Sequence, residues 1–382
     1  MDFVWIGILI VTFAVSAGAL ILIRLVKAGR LFYTGIAALA ALILAAFAVK
    51  HVLNAPIMLL HYGVFLTVTM CVDGICSLYE KRHKMQESEE KKHKRAPMLV
   101  AAATGCFIYL LIGLFCANRI KRTEYTLTTA KELPNGQLCI VQLSDVHLGT
   151  TIDEKDFRKL LKRVSNEKPD IVVITGDYTD VNTKRDLMVR CCEALGELET
   201  TYGVFYIGGN HDSEDMKFTP EELHEELHKN GVIVLSDEVF LTNSGVSIIG
   251  RKDHSVSRDN MRTLQKRCEE IREEQAGTVS EGYLAIDSYT IVLDHQPDDF
   301  SAEAEAGVDL VLCGHAHGGF LLPLRWVWKV LPDIVFRVDL CDGTKRIADT
   351  DFIVSTGAGT CLTDFKTGTV SEYVVIYVKQ ER

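Results

Sequence analysis

Five short apolar runs, each ending in a polar turn, constrain the fold of this chain more than any other feature. Residues 138–143 run into Asp145-Val-His147, and 171–175 into Gly176-Asp177. Residues 203–207 run into Gly209-Asn210-His211-Asp212. Residues 289–294 end at His295-Gln-Pro297, and 310–313 at Gly314-His315-Ala-His317-Gly-Gly319. Apolar runs this short read as buried strands, because a buried helix needs more length. Open α/β sheets hold their ligands at the carboxyl ends of such strands. Alternate side chains of an extended segment share a face, so Asp145 and His147 stand side by side. Any one of these pairs arises by chance in many proteins. All five, in order and each at a strand end, are the constraint.

Helical patterns alternate with the runs, over 153–168 and 184–200. Thr219-Pro220 starts a third helix and Asn230-Gly231 stops it. Residues 232–234, 239–241, 246–250, 352–355 and 373–378 read as further strands, and 258–275 as a charged, exposed helix. The alternation predicts α/β layers with an antiparallel component toward the C-terminus.

Residues 1–122 carry 14 Lys and Arg against 6 Asp and Glu, whereas the whole chain is −10, so the remainder is −18. An acidic half of this kind argues against nucleic acid as a partner, which requires a basic footprint. It does not oppose a phosphate site in which bound cations supply the charge. Residues 3–23, 31–49, 57–79 and 98–117 are each long and apolar enough to cross a bilayer, which predicts a four-helix transmembrane region over 1–120. Residues 121–137 read as a polar linker, with Pro134-Asn135-Gly136 as a turn, and 138–382 as one domain.

Arg24, Lys27 and Arg30 in the first loop and the Lys/Arg-rich third loop place both on the cytoplasmic side, so the 138–382 domain is expected to be extracytoplasmic. Arg119, Lys121 and Arg122 oppose that orientation, as do seven cysteines in the domain without framework spacing.

The collected donors are carboxylate, imidazole and amide, a mixture suited to Mn, Fe or Zn. The ordered set Asp-x-His, Gly-Asp, Gly-Asn-His-Asp, His and Gly-His-x-His resembles the calcineurin-like metallophosphoesterases, over about residues 138–378. The N-terminal spans and Gly314-His-Ala-His-Gly-Gly319 look like their membrane-associated branch, some of whose members cleave nucleotide-linked lipids.

The resemblance implies a four-layer α/β/β/α sandwich holding two divalent metal ions. Asp145, His147, Asp177 and His317 would hold the first, and Asp177, Asn210, His295 and His315 the second. Asp177 would bridge them, one oxygen to each, and a bridging water of lowered pKa would attack phosphorus in line. His211 would act on the leaving oxygen as acid or electrostatic stabiliser, oriented by Asp212. The implied activity is hydrolysis of a phosphoester or pyrophosphate, on a phosphorylated small molecule or a lipid-linked substrate beside membrane lipid. A tethered phosphodiesterase for soluble nucleotides and a receptor or scaffold with a phosphoesterase-like domain are the alternatives. Oligomeric state is not readable. Phe320 and the tryptophans Trp326 and Trp328 suggest an apolar lip after the last motif, and a buried strand and loop is an equal reading. His254 and Asp253 follow another strand end, as bracing or plain loop residues.

Overall fold

A computed structural model of the 382-residue chain describes residue 45 and residues 54–82, 95–213, 217–276, 288–319, 338–361 and 363–381. Two compact units emerge, Met1–Leu114 with Leu362–Phe365, and Phe115–Cys361 with Lys366–Arg382.

The first unit contains α1 (Asn54–Arg82) and most of α2 (Arg95–Asn118). Among the described residues one helix is long and apolar enough to span a membrane, Asn54–Ile75 with 22 residues. Leu60, Val68, Val72 and Ile75 are exposed along it. A shorter apolar stretch is Ala102–Asn118. The expected span at 57–79 falls within α1, but that at 98–117 falls in α2, whose apolar stretch is shorter, so the described residues do not support the expected four-helix transmembrane region. The expected spans at 3–23 and 31–49, like the suggested lip at 320–331, lie outside the described residues. Asn54, buried at the head of α1, donates to Asp364 Oδ2 (2.9 Å) and accepts from Thr363 Oγ1 and the Asp364 amide, both 3.0 Å.

The last turn of α2 belongs to the second unit. Ser371 fixes it, donating from N to Cys116 O (3.1 Å) and from Oγ to Ala117 O (2.8 Å). The chain then enters β1 (Lys121–Thr129) directly. This overturns most of the expected linker over 121–137. The strand is polar because it lies at a sheet edge, paired in parallel with β12 alone, so no continuous apolar run marks it. Only Tyr125 and Leu127 pack inward.

The remaining strands are β2 (Gln137–Leu143), β3 (Ile171–Thr175), β4 (Gly203–Ile207), β5 (Ile233–Val234), β6 (Glu238–Leu241), β7 (Ser247–Gly250), β8 (Thr290–Leu293), β9 (Leu310–Cys313), β10 (Gly343–Ile347), β11 (Thr350–Val354) and β12 (Glu372–Gln380). They form two six-stranded sheets, β1-β12-β2-β3-β4-β5 and β10-β11-β9-β8-β7-β6. Strands β2 to β5 run parallel, as do β7, β8, β9 and β11, so each sheet gathers its carboxyl ends along one edge. The expected antiparallel component is present as β12 against β2 and as the β6–β7 and β10–β11 pairs.

Alternation of side chains sorts the strands into three cores. Leu138 and Ile140 of β2 join Phe205, Ile248, Ile291 and Leu312 between the sheets. Cys139, Val141 and Leu143 turn outward to Phe157 and Leu160 of α3 (Glu154–Asn166), Cys192 of α4 (Arg185–Gly196) and Leu223 of α5 (Pro220–Lys229). On the other flank, Ile249, Val292 and Val311 pack on Leu264 of α6 (Met261–Ala276) and Phe300 of α7 (Phe300–Glu305). The layers are therefore helix, sheet, sheet, helix. The charged helix expected to be exposed is α6, and it is half-buried. Met261, Leu264, Cys268 and Arg272 recur at intervals of three and four, which aligns them on one inward face.

Candidate metal centre

The polar turns follow β2, β3 and β4 of one sheet and β8 and β9 of the other, and their side chains meet. Asp145, His147, Asp177, His315 and His317 all adopt left-handed backbone conformations, with φ of 49°, 45°, 51°, 65° and 47°. Each such non-glycine conformation costs on the order of 1–3 kcal/mol and persists only where neighbours enforce it. Backbone bonds between turns do so here. Asp145 N donates to Gly176 O, His147 N to Asp177 O and Gly314 N to His295 O, each at 3.0 Å. Two glycines give the turns room. A Cβ on Gly176, at φ +84°, would stand 2.3 Å from His295 Nδ1, and one on Gly209 would stand 2.2 Å from Asp177 Oδ1.

The donors face one another in a chain. His315 Nδ1 is 3.0 Å from Asn210 Oδ1. His295 Nε2 is 3.2 Å from Asp177 Oδ2, which lies 3.7 Å from His147 Nε2. His147 Nε2 is 3.2 Å from His317 Nε2, which is 3.6 Å from Asp145 Oδ1. Asp177, His295 and His315 form one group able to hold a cation, and His147 with Asp177 and His211 another. Asp177 Oδ1 accepts the His211 backbone N–H at 2.9 Å, and Oδ2 lies between His295 and His147.

The fit of a cation follows from His295. Its Nδ1 meets the Thr175 carbonyl at 2.8 Å, and a carbonyl only accepts, so Nδ1 carries the hydrogen. In the neutral ring Nε2 then points a lone pair at the Asp177 carboxylate. That contact is repulsive unless a positive charge enters it. Burial works against a charged imidazole, but the carboxylates of Asp177, Asp145 and Asp253 outweigh it and hold His295 well above the ordinary histidine value. Burial likewise opposes a charged Asp177, and His295, His147 and His211 overcome it, keeping that carboxyl ionised far below its usual range. The position thus favours a cation: a proton in the bare chain, a metal ion when one is bound.

Asp212 departs from its expected role. Its carboxylate accepts from Gly209 N (3.0 Å), Tyr178 N (3.1 Å), Thr179 N (2.8 Å) and Thr179 Oγ1 (2.7 Å). It therefore clamps the turn after β4 to the turn after β3 and does not orient the His211 ring. Burial, reinforced by Asp177, raises its pKa.

The residue that orients an imidazole is Asp180, which the sequence reading missed. Its Oδ2 lies 3.0 Å from His147 Nδ1, both groups are fully buried, and His147 Nε2 faces the other donors. The signal available in the sequence was a second Asp three residues after Asp177. Asp180→Asn is expected to weaken metal binding about 10–100-fold, read by competitive metal titration, with an unchanged far-UV circular dichroism spectrum.

Two further residues approach the centre from the loop after β11. Lys366 is fully buried and donates to the carbonyls of Thr356 (2.7 Å) and Gly357 (3.0 Å), fastening that loop. Burial pushes its pKa down to about 8, against the pull of Asp145 and Glu372. Cys361 stands with His147 and His317, the three donor atoms within 4.8 Å of one another.

Behind His295 lies a buried ion cluster. Arg251 reaches Asp294 Oδ2 (2.8 Å), Asp299 Oδ2 (2.8 Å) and Glu303 Oε1 (3.1 Å), and Arg258 adds a 3.0 Å contact to Asp294 Oδ2. Asp253 accepts from Gln296 Nε2 at 3.0 Å on both oxygens, so it braces the same turn. His254 is exposed and pairs with Asp298 away from the donors.

The chain is similar to known proteins of one family. The profile of the calcineurin-like phosphoesterases matches residues 139–319. An uncharacterised metallophosphoesterase of Aquifex aeolicus is 32% identical over 265 residues, 66% of this chain and 91% of that protein. An uncharacterised metallophosphoesterase of Campylobacter jejuni is 28% identical, over 69% of this chain and 66% of its own length. A transmembrane protein with metallophosphoesterase domain from Danio rerio is 28% identical, over 68% of this chain but only 58% of its own length. Among solved structures, a dimetal phosphatase from Danio rerio is 13% identical, covering 58% of this chain and 87% of its own at a TM-score of 0.35. With the Aquifex protein covered almost end to end, and with the matched segment carrying the strand-end donors, the chain belongs to the calcineurin-like phosphoesterase family.

Proposed function

We propose that the chain is a membrane-anchored phosphoric ester hydrolase that works with two divalent cations. The observation that carries this reading is Asp177 Oδ2, a lone carboxylate oxygen between the inward-facing nitrogens of His147 and His295. Asp145, His147, Asp177 and His317 would hold one ion, and Asp177, Asn210, His295 and His315 the other. Bound there, the ions supply Lewis acidity toward the phosphoryl oxygens and a water of lowered pKa. The chain's own part is to fix the donors. Asp180 sets the His147 tautomer, the Thr175 carbonyl sets that of His295, and Asp212 holds the two turns together.

His211 is partly exposed, with its ring edge-on to His147 at 5.0 Å between centroids. It is the imidazole outside the proposed ligand sets, free to protonate or stabilise the leaving oxygen. His211→Ala is expected to lower kcat about 10²–10⁴-fold while bound metal stays constant. Metal analysis beside a hydrolysis assay checks this, and a parallel loss of metal would remove His211 from the acid role.

The substrate we favour is lipid-linked, with anchoring by up to four N-terminal helices and a catalytic domain on the extracytoplasmic side. The apolar surface of α1, the charge of the predicted loops and a relative named as a transmembrane protein support the anchoring. A panel of chromogenic monoester, chromogenic diester and nucleotide-linked lipid, each assayed with and without added Mn²⁺ or Zn²⁺, tests the substrate class. Turnover of the lipid above both chromogens is the expected result. Diester turnover alone would favour a tethered nucleotide phosphodiesterase. For sidedness, protease added to intact cells is expected to cleave a C-terminal tag, and a protected tag would reverse the orientation.

A further inference from the structure

The sequence reading assembled a site without thiolate, but the structure brings a cysteine to it. We propose that Cys361 is an additional, sulfur ligand to the cation held by Asp145, His147 and His317, an inference that rests on the metal-dependent reading above. Cys361 Sγ and the ring nitrogens of His147 and His317 lie within 4.8 Å of one another. Two of the three already face each other. Asp180 Oδ2 stands 3.0 Å from His147 Nδ1 on the outer side of the ring, and His147 Nε2 and His317 Nε2 are 3.2 Å apart on the inner side. An ion held there would take its nitrogens at about 2.0–2.1 Å and a thiolate at about 2.3 Å, which donors this close together could supply.

The cysteine does not reach this place by drifting on a free loop. Ala358 N donates to Ser144 O and Gly359 N to Asp145 O, both at 2.8 Å, and Thr360 N donates to Thr151 Oγ1 at 3.2 Å. Three successive residues before Cys361 are thus tied to the segment that carries Asp145 and His147. Cys139, Cys191, Cys192, Cys268 and Cys313 belong instead to the hydrophobic cores and do not join any cation-holding group among the described residues.

Coordination forms one sulfur–metal bond and releases the thiol proton to solvent, with no change of oxidation state. A thiolate shifts preference toward Zn²⁺, Fe²⁺ or Co²⁺ and away from Mg²⁺ and Mn²⁺, because a soft donor favours the more polarisable ions. The site would differ in this respect from one built only of oxygen and nitrogen.

The test uses the full chain, stripped of metal in detergent and titrated anaerobically with Co²⁺. A near-ultraviolet thiolate-to-cobalt band should grow with the visible ligand-field bands. C361S should keep the visible bands and lose the near-ultraviolet one, and its Zn²⁺ affinity should fall about 10-fold or more relative to Mn²⁺. Mass mapping after iodoacetamide should show Cys361 protected in the Zn²⁺-loaded chain and alkylated in the stripped chain. Cobalt bound without the near-ultraviolet band, or with the same band in C361S, would overturn the sulfur ligand while leaving the metal centre intact. No cobalt bound to either chain would overturn the metal-dependent reading, and this inference with it.

Discussion

Asp177→Asn should leave a folded chain that no longer turns over substrate. The amide is nearly isosteric and can still accept the His211 backbone N–H, so the turn after β3 keeps its main tie. What changes is the other atom. Oδ2, now 3.2 Å from His295 and 3.7 Å from His147, becomes an NH₂ or a neutral oxygen, neither of which can share a charge between two cations. Deleting one oxyanion-hole donor in other enzymes costs about 10²–10³-fold in kcat, and here the change removes the anchor of both ions, so at least that loss is expected. Metal content should fall from about two ions per chain to one or fewer by the dinuclear logic of such sites. Full turnover with both metals retained would remove the bridging role.

The same geometry sets a pH dependence. His295 in the bare chain is held well above the ordinary histidine value, and His147 is raised as well, burial opposing while Asp180 and Asp177 prevail. A metal ion must therefore displace protons from both rings, so occupancy at fixed metal concentration rises with pH. Asp177→Asn takes away the carboxylate that holds the His295 proton, and should flatten that dependence.

Arg251→Met is expected to give the largest loss of stability of any change proposed for this chain, about 3–5 kcal/mol, the usual cost of removing one partner from a buried ionic cluster. Methionine fills much of the volume, so the loss is electrostatic. Arg251, Asp294 and Glu303 are each 0–1% exposed, and without the guanidinium only Arg258 still faces Asp294. Burial, followed by the charge on Asp294, already raises Glu303 well above the carboxylate range.

The sign of the pH effect follows. A carboxyl whose pKa is raised by folding contributes stability that is complete below its unfolded value of about 4.3 and is lost as pH rises through the folded value. Removing Arg251 raises Glu303 further, so the deficit of the variant should widen from acid toward neutral pH. Urea unfolding at several pH values checks this. Glu303→Gln in the Arg251→Met background should recover part of the loss, because the two groups share one network. A deficit below about 1 kcal/mol, the scale of an exposed ion pair, would mean that water reaches the cluster.

The chain's own order of residues determined the strand ends and the kinds of donor placed on them. It could do so because strand period, turn residues and ligand types are local properties. Leu138, Ile140 and their alternates declare two buried faces. The Asp, His and Asn residues in the glycine-bearing turns declare what is presented at the edge.

Tertiary structure decided everything that depends on which distant segments touch. Asp212 holds two turns together instead of orienting His211, because the free backbone N–H groups of Gly209, Tyr178 and Thr179 converge on it. Asp180 took the orienting role, on a different imidazole. A polar stretch taken for a linker became β1 because a neighbouring edge was free to receive it. Cys361 reached His147 across more than two hundred residues, through loop contacts that neither segment encodes alone. Donor identity is written in short stretches of chain, whereas donor partnership is set by packing.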